Sequence, residues 1–301
     1  MTIQQAREIF ITSRKARNLS KNTIVWYGYT LDRLLAFCEK NSIQHIEEVK
    51  SYLVESFLSS LKGTMRDVSF KDTYTIIRIF FTYLFDEEYI DRNPMKNMKQ
   101  PKVEKKIMRT FNKQEIEAIL KHFDQSDFFG LRNYLIMCLL FSTGMRKSEM
   151  LNLKLQDINI TVDFIKVMGK GSKERYVPIG RTLRRILLQY MNRRTEYLKD
   201  TYCEYLIVSQ KKTQLTESGI NILFKNLKTD LGWTGERISS HTWRHTFCKL
   251  FLLNGGDVFS LQRIVGHSDL RMTRKYVDLN DREIKIQHAK FNPLDNKDWS
   301  I

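Results

Sequence analysis

Cysteine is scarce and scattered. Its four residues, Cys38, Cys138, Cys203 and Cys248, lie far apart with no CxxC pair. That is the usage of a reduced, cytoplasmic chain whose thiols sit mostly in cores. Long apolar runs are missing too. No stretch of about 18 apolar residues occurs, so a membrane-spanning helix is not expected. The opening residues, Met1-Thr2-Ile3-Gln4-Gln5-Ala6-Arg7, hold no apolar signal core. No internal repeat and no low-complexity tract interrupts the chain, which argues against a solenoid or a long disordered tail. What remains is a globular sequence of 301 residues, 42% hydrophobic, long enough for two domains and a sizeable core.

Acidic residues are in deficit. Fifty Lys and Arg stand against 34 Asp and Glu, a net charge of +16, which points to a polyanionic partner. The excess is uneven. Through Met98 there are 14 basic and 12 acidic residues, a net of +2; the remainder holds 36 against 22, a net of +14. It is spread among periodic apolar segments, so it belongs to a folded surface and not to a tail.

Apolar residues recur at helical spacing along most of the chain. Residues 3–16 read as a first helix. Ile24, Tyr27, Leu31, Leu34, Leu35 and Cys38 mark a second, capped by Ser20 or Asn22. Helices are also expected over 49–61 and 71–88, with the Ile- and Phe-rich segment 76–85 as their core. Pro94 stops the last of these. Lys99, Lys102, Lys105, Lys106 and Arg109 then face Glu104 alone, and this aperiodic stretch reads as a basic strap beside phosphates. The expected division is a helical domain at 1–91, a linker at 92–109, a second domain at 110–280 and a tail at 281–301.

In the second domain Asn112 and Glu115 form a capping box. An apolar helix over 131–142 ends at Thr143-Gly144, where glycine suits a left-handed turn. Arg146 then opens a new turn at an exposed corner, and Glu149, three residues on, can hold it. Strands are expected at 162–169 and 175–179 around Lys170-Gly171-Ser172-Lys173, which puts Lys170 on a hairpin tip. A helix at 182–198, a strand at 203–208 and a helix at 217–231 follow. Ser240 is expected to cap the helix bearing His241 and Arg244, with short helices at 257–265 and 270–279 beyond it. The fold class is mainly α: an N-terminal helical bundle plus a mostly helical second domain with a small β-hairpin or sheet.

His241, Arg244, His267 and a late tyrosine, Tyr276, fall within 36 residues. Phosphodiester cleavage needs cations and N–H donors around the phosphorane oxygens. Arg146 and Arg244 suit this, because a guanidinium binds phosphate in a fork and stays charged. His267 can donate to a third oxygen. A tyrosine hydroxyl titrates near 10, so attack at neutral pH needs a base or a strongly positive site; His241 can take that proton. The leaving 5′-oxygen needs a proton in turn, for which Lys170 is the candidate acid, with Lys173 as the substitute. His241 and His245 also have the i, i+4 spacing of zinc ligands, with Cys248 nearby. The glutamate of an HExxH motif is replaced by Thr242, which removes the metalloprotease reading.

Five motifs in order resemble the tyrosine recombinases, the phage-type integrases and Xer-type recombinases. They are Thr143-Gly144-Met145-Arg146-Lys147-Ser148-Glu149, Gly169-Lys170-Gly171-Ser172-Lys173-Glu174-Arg175, His241-Thr242-Trp243-Arg244-His245-Thr246, Val265-Gly266-His267-Ser268, and Tyr276. The resemblance covers nearly the whole chain, residues 1–90 being similar to the family's helical, SAM-like core-binding domain. It implies Tyr276 as nucleophile, leaving a 3′-phosphotyrosyl bond and a free 5′-hydroxyl. Arg146, Arg244 and His267 would hold the phosphate, His241 would be the acid/base partner, Lys170 the general acid and Glu149 a supporting residue. Lys102, Lys105, Lys106, Lys173, Arg175 and Arg274 are the expected DNA contacts. No cofactor, metal or ATP is expected, since the covalent intermediate stores the bond energy.

The family further implies a homotetramer on two DNA duplexes carrying inverted-repeat core sites, acting through a four-way junction, with a second recombinase or accessory protein as a further partner. Only about 20 residues precede the second helix, so no arm-site binding is expected. The tail, with Ile284, Ile286 and Phe291, resembles the segment that docks on a neighbouring protomer. The rival readings are a type IB topoisomerase and a DNA-binding regulator without cleavage activity.

Overall fold

A computed structural model of the chain describes residues 1–102, 108–169, 173–234, 238–267 and 269. It divides into two units, Met1–Lys106 and Ile107–Ile301. In the first, α1 (Ile3–Ala16) begins at a capping box in which Thr2 and Gln5 bond each other's backbone N–H. Ser20, one of the two candidate caps, opens α2 (Lys21–Lys40) by accepting from the Thr23 N–H. After a 3₁₀ turn at Ile46–Glu48 come α3 (Ser51–Leu61) and α4 (Asp67–Asp86). Their apolar faces bury Phe10, Leu34, Phe57, Phe80 and Phe81 in one core. The aromatics of 76–85 are therefore mainly packing.

The stretch after α4, expected to be a linker from residue 92, is tied down much further. Met95 is fully buried in this unit's core. The Ser51 hydroxyl donates to the Pro94 carbonyl at 2.8 Å, and Tyr74 Oη donates to the Met98 carbonyl at 2.6 Å. A buried apolar side chain and hydroxyls that satisfy the backbone hold what looked like an aperiodic connector. Lys102 is exposed; Lys105 and Lys106 lie outside the described residues.

In the second unit the Asn112–Glu115 capping box opens α5 (Lys113–His122) as expected. The helix α6 (Phe128–Thr143) is apolar on every side and forms the centre, with α7 (Lys147–Leu151) following at once. The strands β1 (Ile158–Asn159), β2 (Phe164–Met168) and β3 (Glu174–Pro178) make a three-stranded antiparallel sheet in that order. Its inner face, Ile165, Val167 and Val177, joins the core. The remaining helices are α8 (Arg181–Leu198), α9 (Glu217–Asp230), α10 (Ser240–Leu253) and α11 (Val258–Val265). The expected helix at 270–279 and the tail at 281–301 lie outside the described residues.

Two sequence expectations change. Residues 203–208 form isolated bridges, not a strand. The buried Arg194 of α8 draws the carbonyls of Cys203, Tyr205 and Leu206 onto its guanidinium, so they are spent on a side chain instead of a ladder. The cap of α10 is Ser239, not Ser240: the Ser239 Oγ accepts from the Thr242 N–H at 3.2 Å. The four cysteines are free thiols, and burial pushes Cys38 and Cys138 up to about 11. Among the described residues no helix is long and apolar enough to cross a membrane.

Arg194→Met keeps the apolar stem and strands the carbonyls of Cys203 and Tyr205, while the Leu206 carbonyl keeps the Tyr190 hydroxyl. It should lower stability to denaturant by about 3 kcal/mol; a loss well under about 1 kcal/mol would mean that the carbonyls find water instead.

Candidate active site

The site begins at the end of α6. Gly144 takes φ +59°, and its N–H bonds the Leu140 carbonyl at 3.1 Å. A Cβ there would collide with the Phe247 ring of α10, so only glycine fits this turn. Two residues on, Arg146 caps α7. Glu149 folds back onto it: the Arg146 N–H donates to Oε2 and Nη1 donates to Oε1, each at 2.8 Å. Arg175 of β3 approaches the same carboxylate as a fork, Nη1 to Oε1 at 3.0 Å and Nη2 to Oε2 at 2.6 Å. Glu149 is buried. Burial acts to raise its pKa, but the bonds and charges of Arg175 and Arg146 outweigh it, and the carboxyl sits below its usual range.

A second anchor comes from α10. Arg244 is 5% exposed. It donates from Nη1 to the Gly144 carbonyl at 2.7 Å and from Nη2 to the Val265 carbonyl at 2.8 Å. One guanidinium thus joins the end of α6 to the end of α11. Gly266 turns the chain with φ +66°, packed against the Arg175 side chain, and His267 follows. Gln262 holds that turn, accepting from the His267 N–H on its own carbonyl and donating its amide to the His267 carbonyl at 3.0 Å. The His267 ring is 6% exposed. Burial, then the positive charges of Arg244, Arg146, Arg175 and His245, push its pKa down to about 4. At neutral pH it is a neutral imidazole beside three guanidiniums.

Arg146, Arg244 and His267 therefore share one corner. His241 is exposed in the first turn of α10, on the face Arg244 shares three residues on. Lys173 is exposed, and its carbonyl accepts from the Gly169 N–H at 2.8 Å at the base of the β2–β3 turn. Lys170, Arg274 and Tyr276 lie outside the described residues. Arg175 corrects an expectation. Expected on DNA, it turns inward with an 11% exposed side chain, because the buried charge of Glu149 takes a second cation. The signal was available: residues two apart in a strand share a face, and Val177 points into the core. Gln262 carried no such signal. Among the described residues no group of three His, Cys, Asp or Glu could hold a metal ion.

The phage integrase family matches residues 109–283, and the phage integrase N-terminal SAM-like domain matches residues 7–91. The chain belongs to the phage integrase family of tyrosine recombinases. It is 31% identical over 287 residues to the tyrosine recombinase XerD of Staphylococcus haemolyticus, covering 92% of this chain and 94% of that one. The Tn1549 transposon integrase, solved in complex with transposon right end DNA, superposes with a TM-score of 0.76 at 20% identity over 97% of this chain and 100% of that one. The XerH site-specific recombinase, solved bound to a palindromic difH substrate in a post-cleavage complex, gives 0.75 at 21% identity over 93% and 82%. The two share the mainly helical fold with its small antiparallel sheet.

The His267 pKa makes a pH prediction. Unfolded, the ring titrates near 6.5; folded, near 4. Between these values the unfolded chain binds more protons, so stability is full above about pH 6.5 and is lost as pH falls towards 4, by about 3 kcal/mol in all. His267→Gln lacks this component. Urea unfolding at about pH 7.5 and about pH 4.5 should lose correspondingly less stability in the variant than in the wild type.

Proposed function

We propose that this recombinase cuts and rejoins DNA by transesterification through Tyr276. The Tyr276 Oη attacks the scissile phosphorus and passes its proton to His241. The 5′-oxygen leaves with a proton from Lys170, and the phosphate remains on the tyrosine as a 3′-phosphotyrosyl ester. Attack by the 5′-hydroxyl of a partner strand reverses each step. Because one phosphate ester replaces another, no ATP is consumed. Arg146, Arg244 and His267 meet the charge on the phosphorane oxygens, so the role a metal would serve falls to the protein's own cations.

The observation that carries this reading is the corner where Arg244 ties the Gly144 turn to the Val265–His267 turn. It brings a fork-shaped cation and a desolvated imidazole together beside Arg146. An arriving phosphate offsets the positive charges that add to burial in keeping His267 unprotonated, so the same ring becomes a better donor once substrate is bound.

DNA is the proposed partner, and the +14 excess after Met98 lies in the stretch that carries the site. Lys102, Lys105, Lys106, Lys173 and Arg274 are the proposed contacts; Arg175 is withdrawn from that set. The assembly is four protomers on two duplexes with inverted-repeat core sites, working in the cytoplasm. Its role is integration or excision of a mobile element, or resolution of dimers and cointegrates.

A nicked suicide duplex carrying the host element's terminal sequence tests this on denaturing gels, in chelator. Wild type should form a covalent protein–DNA adduct at one position, and Tyr276→Phe should bind equally and form none. An adduct with Tyr276→Phe would overturn the assignment of the nucleophile. Binding without any wild-type adduct would favour a regulator, and adducts at undefined positions a topoisomerase-like activity.

A further inference from the structure

The Glu149 carboxylate is shared. Oxygen Oε1 accepts from Arg146 Nη1 and Arg175 Nη1, and Oε2 accepts from the Arg146 backbone N–H and Arg175 Nη2. With a single cation beside it, a buried carboxylate forms a neutral pair. Were Arg146 that cation, its charge would be held by Glu149 and lost to an incoming phosphate. Arg175 alters the balance, since two guanidiniums around one carboxylate leave a net positive charge. Arg175 takes both oxygens through its fork, while Arg146 meets only one with its side chain and keeps 32% of that side chain exposed.

Arg175 also reaches a second segment. Its Nε donates to the Ile264 carbonyl at 2.8 Å. Its side chain lies against Gly266, where an added Cβ would sit 3.0 Å from Arg175 Cδ. Every nitrogen of this guanidinium is thus used, two on Glu149 and one on the last turn of α11. The residue connects the turn that presents Arg146 to the turn that presents His267.

We propose that Arg175 is a positioning residue for this reaction: it neutralises Glu149 so that Arg146 stays charged for the phosphate, and it holds the Gly266–His267 turn in register with Arg146. The proposal rests on the reading of Arg146 and His267 as phosphate ligands. Charge and placement make separate demands. Lysine at 175 keeps the charge and loses the fork, and alanine loses both.

The test compares adduct formation on the nicked duplex with binding measured separately. Arg175→Ala should slow the adduct by about 100-fold while binding changes only a few-fold. Adding Glu149→Gln should restore about tenfold or more of that loss, because removing the carboxylate charge releases Arg146. Arg175→Lys should fall between wild type and Arg175→Ala. A purely structural role for Arg175 predicts no such rescue, since the double variant would be as impaired as the single one or more so. Wild-type cleavage by Arg175→Ala, or a double variant no faster than the single, overturns the proposal. If Arg175→Ala does not fold, Arg175→Lys against the double variant decides in the same way. If wild type itself forms no adduct, the cleavage reading fails and the linkage is judged by NMR titration of His267 without DNA. Arg175→Ala should move the midpoint up and the double variant should move it back; midpoints equal to wild type in both overturn the proposal.

Discussion

A carboxylate taken out of water costs several kcal/mol unless its lone pairs are met by donors and its charge by a cation. Glu149 meets that demand with four N–H groups from Arg146 and Arg175. The requirement reaches well beyond the residue. It fixes how α7 starts, because Arg146 supplies its backbone N–H as well as its side chain. It fixes the face of β3, because Arg175 must point inward. Through the Ile264 carbonyl it extends to the end of α11. Three segments distant in sequence converge because one buried negative charge has to be satisfied.

Arg244 closes the arrangement from the other side. Its carbonyl partners, Gly144 and Val265, each stand two residues before Arg146 and His267. Both of these contacts are to backbone carbonyls. Counting Arg146 and Arg175 against Glu149 leaves that group at +1. Holding like charges this close costs stability, and it adds to burial, the larger cause, in depressing the His267 pKa. An anion relieves it. A site that is electrostatically unfavourable when empty is suited to bind a phosphate, and more so a phosphorane that carries extra charge.

The local parts of this site were legible in the sequence. A helix ending in glycine, a cap followed by a glutamate three residues on, and an Arg and His on one helical face are patterns within a few residues. Arg146 and Glu149 meet as their spacing implies. Arg175 was expected on DNA although its strand face, shared with the buried Val177, pointed inward; the partner it meets there, Glu149, lies 26 residues earlier. The tethering of 94–98 failed for the same reason, since the hydroxyls of Ser51 and Tyr74 come from other helices. Arg194 likewise overrode the strand propensity of 203–208 from a helix nearby in space. In each case a side chain from another segment took a partner that local pattern had assigned elsewhere.

The hairpin shows how far the same constraint reaches. Gly169 lies beside both Glu149 and Arg175; a Cβ there would stand 3.9 Å from Glu149 Oε1 and 3.7 Å from Arg175 Nη1. The turn is closed at its base by the bond from Gly169 N–H to the Lys173 carbonyl. The base of the turn at Gly169 is therefore packed beside the carboxylate that orients Arg146. With Lys170 as the proposed acid and Arg146 as the proposed phosphate ligand, the Glu149 pairing ties the root of the hairpin to the proposed anion-binding group.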